Sequence, residues 1–190
     1  LLAVDSASYD TNEAKGAPVT AGGFTQDRVT WIESMLAEAL RKSKAVIVMM
    51  HHGVVEHYPG QMKYYGEYLV NGWPEVSDMF AAWGARFVFT GHYHAQDVTL
   101  KRTGVRKFLY DVETGSLVSY PNPVRLVAID QKKQRLAIST SFIKELPSFA
   151  ARGENFWDYS RESLHSGIVG IAIATMKKLG VPRQEAGTIA

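Results

Sequence analysis

Cysteine is absent from the 190 residues. This excludes disulfides, thiolate zinc sites and thiol nucleophiles, and leaves the compartment open. A dominant charge sign is also missing. The 21 Lys and Arg against 19 Asp and Glu give a formal net charge of +2, too small to point to nucleic acid or an anionic membrane. Long apolar runs are lacking. Those at 45–50 and 168–174, the second containing Gly170, fall far short of a membrane helix of ~20 residues. The chain opens Leu1-Leu2-Ala3-Val4-Asp5 without a basic leader or an initiator Met, and reads as a mature product or a fragment. What is present is ordinary globular composition, 46% hydrophobic and 21% charged, which excludes a disordered or low-complexity chain. The length suits one domain, or a large part of one, with a core of useful size.

The order of patterns predicts an α/β fold. Residues 1–4 are apolar and end at Asp5, as a buried strand would. Residues 6–24 carry Gly, Ser, Ala, Asn and Pro and read as a loop. Thr25 is placed to cap a helix through Lys42, with Val29, Ile32, Met35, Leu36, Ala39 and Leu40 on one face. The run 45–50 is short and continuously apolar, which suits a strand covered on both faces. Pro74 starts a second helix with Val76, Met79, Phe80 and Trp83 on one face, and Gly84 ends it. Residues 86–90 form the next strand. Downstream, 98–100 and 107–110 flank a turn at Thr103-Gly104, and 124–130 and 136–142 flank a polar turn at 131–134. This meander is expected to extend or back the first sheet. Ser160 is expected to cap a last helix through about Leu179, ended by Gly180 and Pro182, with Leu164, Ile168, Ile171 and Met176 packed on the body.

Five of the six histidines fall in two clusters, each just after an expected strand: His51, His52 and His57, then His92 and His94. Imidazole titrates near neutrality and binds borderline metals, so histidines converging at one sheet edge suggest a metal site. In an extended segment, His92 and His94 point to the same side and Tyr93 to the other, where it packs. Asp97 is a candidate to orient a ligand imidazole. Tyr58, Tyr64, Tyr65, Tyr68 and Trp73 lie between the clusters and either line a cleft or form a packing surface. His165 has no assigned role, and Lys132-Lys133 reads as a solvated hairpin tip.

The stretches Val46-Ile47-Val48-Met49-Met50-His51-His52-Gly53 and Phe89-Thr90-Gly91-His92-Tyr93-His94 resemble the last two motifs of the calcineurin-like metallophosphoesterases. The helix from Gln26 to Leu40, containing Trp31, and the stretch Glu113-Thr114-Gly115-Ser116-Leu117 are similar to the family's neighbouring segments. The resemblance covers roughly residues 1–145, with 146–190 as a C-terminal extension whose helix packs on the domain. It implies the C-terminal half of a four-layer α/β/β/α sandwich, followed by the meander and the last helix. It also implies two divalent or mixed-valence metal ions (Mn, Fe, Zn or Co), His51 and His92 on one and His94 on the other. The implied reaction is phosphodiester or monoester hydrolysis by hydroxide bridging the metals. His51 is preferred to His52 because the family ligand is the first of the pair. Further expectations are His57 touching the substrate phosphate or leaving group, and His52, Asp97 and Tyr93 supporting the ligands or substrate. Gly53, where the family usually has Pro, is expected to loosen its loop. The family's upstream Asp, Asn and His motifs do not occur in these residues, so the resemblance implies an N-terminal segment or second chain supplying them. Many relatives are exported, which leaves the compartment open between the cell interior and the exterior.

Competing readings are weaker. A metallo-β-lactamase-like motif would need a carboxylate at position 96, where Gln stands, and no Gly-x-Ser-x-Gly elbow supports a serine hydrolase. The remaining alternative is a catalytically incomplete phosphoesterase fold serving as a binding or scaffold module.

Overall fold

In the computed structural model, which describes residues 1–10 and 12–178, the chain divides after Gly115 into two compact units. The expected helix stop at Gly180 and Pro182 lies outside the described residues. The first unit holds strands β1 (Leu2–Ala3), β2 (Ile47–Met49), β3 (Phe87–Thr90), β4 (Asp97–Gly104) and β5 (Lys107–Glu113) in one sheet of order β1-β2-β3-β5-β4. Neighbours β1–β2, β2–β3 and β3–β5 are parallel, and β4 closes the edge antiparallel to β5. The class is therefore mixed α/β.

Helices α1 (Asn12–Lys15), α2 (Gln26–Arg41), α3 (Gln61–Tyr65) and α4 (Trp73–Ala82) fill the connections. Thr25 caps α2 by accepting the Arg28 N–H at 3.3 Å. Such a cap stabilises by about 1 kcal/mol. Ile32 and Leu36, one helical turn apart, are completely buried with Val48 and Val88 of the central strands. Burial is worth roughly 1.5–3 kcal/mol per side chain, so packing rather than capping holds α2 in place. Leu40, in the last turn, is exposed instead of joining this face. On α4, Phe80 enters the core while Val76, Met79 and Trp83 pack around it, and Gly84 turns the chain at φ +86°.

The first expected hairpin does extend the sheet, but its turn lies at Val105-Arg106. Thr103 and Gly104 belong to β4, with an irregular register between Arg102 and Gly104, and Arg106 takes the left-handed φ of 59°.

The second unit starts at Ser116. Strands β6 (Pro123–Asp130) and β7 (Arg135–Phe142) pair only with each other, so this hairpin is a separate two-stranded sheet rather than a continuation of the first. Helices α5 (Pro147–Ala150) and α6 (Phe156–Lys178) follow. Trp157 packs its ring against Tyr120 and Phe142, with the Lys144 ammonium 5.4 Å from it. Asn155, not Ser160, caps α6: its Oδ1 accepts from the N–H groups of Trp157 and Asp158. Ser160 lies one turn inside the helix, buried, and donates to Asn122 Oδ1 at 2.7 Å. Of the expected packing positions on this helix, Leu164 and Met176 are half-buried, whereas Ile168 is 57% and Ile171 69% exposed. Among the described residues no helix is long and apolar enough to cross a membrane.

Candidate functional site

Parallel neighbours end at the same sheet edge, so β1, β2 and β3 bring Asp5-Ser6, His51-His52 and Gly91–His94 together. The backbone continues the pairing past the strands: Met50 N–H donates to Phe89 O and Gly91 N–H to His51 O, both at 3.0 Å. The ring centroids of His51 and His92 then lie 4.3 Å apart, and those of His52 and His92 4.6 Å apart. His94 is close enough that its charge acts on both His51 and His92.

The segment bearing His92 and His94 is not extended, contrary to the expectation. Tyr93 N–H closes a tight turn onto Gly91 O at 2.9 Å, and His92 and His94 both take left-handed backbone, φ 71° and 63°. Two such residues cost about 1 kcal/mol or more each and persist only where surrounding contacts over-determine them.

Burial pushes the His51 imidazole below its usual pKa, and the charge of His94 adds to this. Burial pushes His92 further down, to about 4, against the opposing pull of the Thr20 carbonyl and with help from the charges of His52, His51 and His94. Near neutral pH His92 is therefore an uncharged imidazole. Its Nε2 lies 2.9 Å from Thr20 O. A carbonyl only accepts, so Nε2 carries the proton and Nδ1 keeps the lone pair.

His52 is spent on structure. It is buried, its Nε2–H donates to the same Thr20 carbonyl at 2.9 Å, and its Nδ1 faces Ser6 Oγ at 2.8 Å. Both ring nitrogens thus have protein partners. Gly22 makes this possible by close approach: a Cβ there would lie 2.2 Å from His52 Cε1. Gly53 is pinned rather than loose. Its N–H donates to Tyr68 O at 3.0 Å and its carbonyl accepts from Val70 N–H at 2.9 Å, and the first bond is one proline cannot make.

His57, the expected substrate-contacting residue, lies on the loop that follows β2. Its side chain is only 3% exposed and is enclosed by carboxylates. Nδ1 lies 2.8 Å from Asp97 Oδ2, and Nε2 lies 3.6 Å from both Asp111 Oδ1 and Glu113 Oε2 without making a hydrogen bond. Burial works against the imidazolium, but the close approach and charge of Asp111, then Asp97 and Glu113, outweigh it and raise the pKa to about 9. Asp97 is thereby tied to His57. Burial raises Glu113 to about 7, against the pull of His57.

Tyr93 packs, as expected. Its hydroxyl meets that of Tyr58 at 3.1 Å, and its ring contacts Tyr65 and Tyr68. Tyr68 in turn lies 4.7 Å from the His92 ring, so this cluster walls one side of the histidines. Tyr64 projects outward beneath Lys63, and Trp73 packs on the core beside Lys101.

Residues that sequence patterning passed over are Ser6, Thr20 and Asp111. Asp111 was detectable as an acidic residue inside an otherwise apolar strand, where burial demands partners. Asp111 is completely buried and accepts the Val54 and Val55 N–H groups at 2.6 and 3.0 Å and the Thr90 hydroxyl.

Among the described residues no three of His, Asp or Glu stand ready to enclose a metal ion. No protein-family model matches the chain, and no curated protein matches it closely enough to count as a relative.

Proposed function

We propose that the chain is the C-terminal half of a metal-dependent phosphoesterase of the calcineurin-like type, built as a four-layer α/β/β/α sandwich. The observation that supports this reading is the approach of the His51 and His92 rings at the carboxyl edge of parallel strands, with His94 near enough for its charge to act on both and with His92 uncharged and its Nδ1 lone pair available. The donor set suits Zn, Mn, Fe or Co once carboxylates complete it, and an N-terminal segment or second chain is proposed to supply them. A divalent ion held there would acidify a water and neutralise phosphoryl oxygens during hydrolysis of a phosphodiester or monoester.

The chain's own residues have separate tasks. His51, His92 and His94 would hold the metals. The Thr20 carbonyl fixes the His92 tautomer and ring direction, the usual job of an outer partner to a ligand histidine. His52 ties the β1 and β2 loops together through Ser6 and Thr20. The tyrosine wall excludes water from one side.

That no three such residues stand ready around a metal among the described residues favours one second reading, a phosphoesterase fold retained as a binding or scaffold module. Hydrolysis of p-nitrophenyl phosphate and bis(p-nitrophenyl) phosphate, with Mn2+, Zn2+ or Co2+, separates the two. The enzyme reading expects metal-dependent turnover, reduced at least about tenfold by His51→Ala, His92→Ala or His94→Ala and unchanged by His165→Ala. Turnover insensitive to all three histidines contradicts it, and no turnover with any metal once the carboxylate-bearing segment is supplied leaves the binding module.

A further inference from the structure

The tyrosines between the two histidine loops form a run of rings that starts at the histidines and ends in solvent. Tyr68 stands 4.7 Å from the His92 ring, and Tyr65 contacts Tyr68 in turn at 6.3 Å between centroids. Tyr65 is the last residue of α3, and Tyr68 follows three residues later. Tyr93 braces both, 5.5 Å from Tyr65 and 5.2 Å from Tyr68, and its hydroxyl is bonded to that of Tyr58. Tyr65 is thus held by two other rings while remaining 45% exposed. His51 and His94 are exposed as well, and His92 and Tyr68 are half-buried. Two of the four hydroxyls in the cluster are spent on each other, so what it offers a ligand is chiefly ring surface. A tyrosine has few rotatable bonds, and one already braced loses little freedom when a second flat ring stacks on it.

We infer that Tyr65 is a specificity-determining residue of this site, a braced ring that takes the aromatic part of the substrate, so that the preferred substrates are phosphoesters of flat aromatic groups. The inference rests on the proposed phosphoesterase reading, which puts the phosphate at His51, His92 and His94. From there the substrate passes Tyr68 and reaches Tyr65, one ring further out. Aryl esters and nucleotides share the chemistry that such a surface recognises, a planar π system attached to a phosphate. Stacking of this kind changes affinity by roughly 5–150-fold when the protein ring is truncated. A saturated group of the same size and charge lacks that attraction.

The test uses the full 190-residue chain in the presence of Zn2+. Two pairs of ligands are titrated calorimetrically: phenyl phosphate against cyclohexyl phosphate, and adenosine 5′-monophosphate against ribose 5-phosphate. The aromatic member of at least one pair is expected to bind about fivefold tighter or more. A preference in the first pair alone identifies aryl esters as the source of the ring, and one in the second pair alone identifies nucleotides. Tyr65→Leu keeps apolar bulk without a π face, and should bring the ratio within each pair close to one while melting stays cooperative. Tyr65→Phe keeps the ring and should keep the preference. No preference in either pair, or a preference that a folded Tyr65→Leu protein retains, overturns the inference. If the wild type binds no Zn2+, the metal reading fails by itself, and adenosine, which carries no phosphate, decides on the ring surface. It is expected to shift the Tyr65 and Tyr68 ring resonances of the wild type, and the absence of any shift overturns the inference.

Discussion

Replacing Gly22 with alanine should damage the site through sterics alone. A Cβ at this position would stand 2.1 Å from Ser6 O, 2.2 Å from His52 Cε1 and 2.5 Å from His52 Nδ1. Carbon contacts are normally ~3.5–4.0 Å, so more than an ångström must open. The backbone has little freedom to provide it. Asn71 N–H donates to Gly22 O at 2.8 Å, and Gly23 N–H donates to Ser6 O at 2.9 Å. The imidazole of His52 must therefore leave, breaking its bonds to Ser6 and Thr20. Two buried hydrogen bonds at ~1 kcal/mol each, plus ~1–3 kcal/mol of overpacking, give a loss of about 3–5 kcal/mol. For a unit of this size that lowers Tm by roughly 10–20 °C. Guanidinium unfolding followed by tryptophan fluorescence and far-UV circular dichroism measures it. Gly104→Ala is the control, because a Cβ there meets nothing within 4 Å. A Gly22→Ala protein within about 0.5 kcal/mol of wild type would refute the close-approach reasoning.

Further outcomes follow from the same contacts. Thr25→Ala removes the cap of α2 and should cost about 1 kcal/mol, readable by the same unfolding curve. Asp111→Ala leaves two N–H groups and the Thr90 hydroxyl buried without an acceptor, at ~1–3 kcal/mol for each, and should destabilise by at least about 3 kcal/mol. His57 has a folded pKa of about 9, raised from 6.5. Its contribution is therefore fully present below pH ~6.5 and is lost as pH rises toward 9, up to about 3 kcal/mol. His57→Gln should flatten that alkaline limb in unfolding curves taken at a series of pH values, and an unaltered limb would contradict the assignment.

The strand–helix alternation of the first unit was readable because its signals are local. Thr25, the Ile32/Leu36 stripe and the apolar runs before His51 and His92 each fix an element by themselves. The shape of the His92–His94 segment was not readable, because left-handed backbone at two non-glycine residues leaves no mark in local composition. The partners of His57 and Asp97 were not readable either, because position along the chain says nothing of the carboxylates that β5 brings to His57. Ser160 has the chemistry of a cap, but Asn155 occupies that position and Ser160 is drawn to Asn122 instead. The choice of His51 over His52 came from family resemblance. In the structure both ring nitrogens of His52 have protein partners.

Calorimetric titration of the chain with Zn2+, repeated on His51→Ala, His92→Ala, His94→Ala and His165→Ala, bears most directly on the proposed metal role. Saturable binding that each of the first three substitutions weakens at least about tenfold, and that His165→Ala leaves intact, is the predicted result. Binding that survives all three substitutions, or no binding by the wild type, contradicts it.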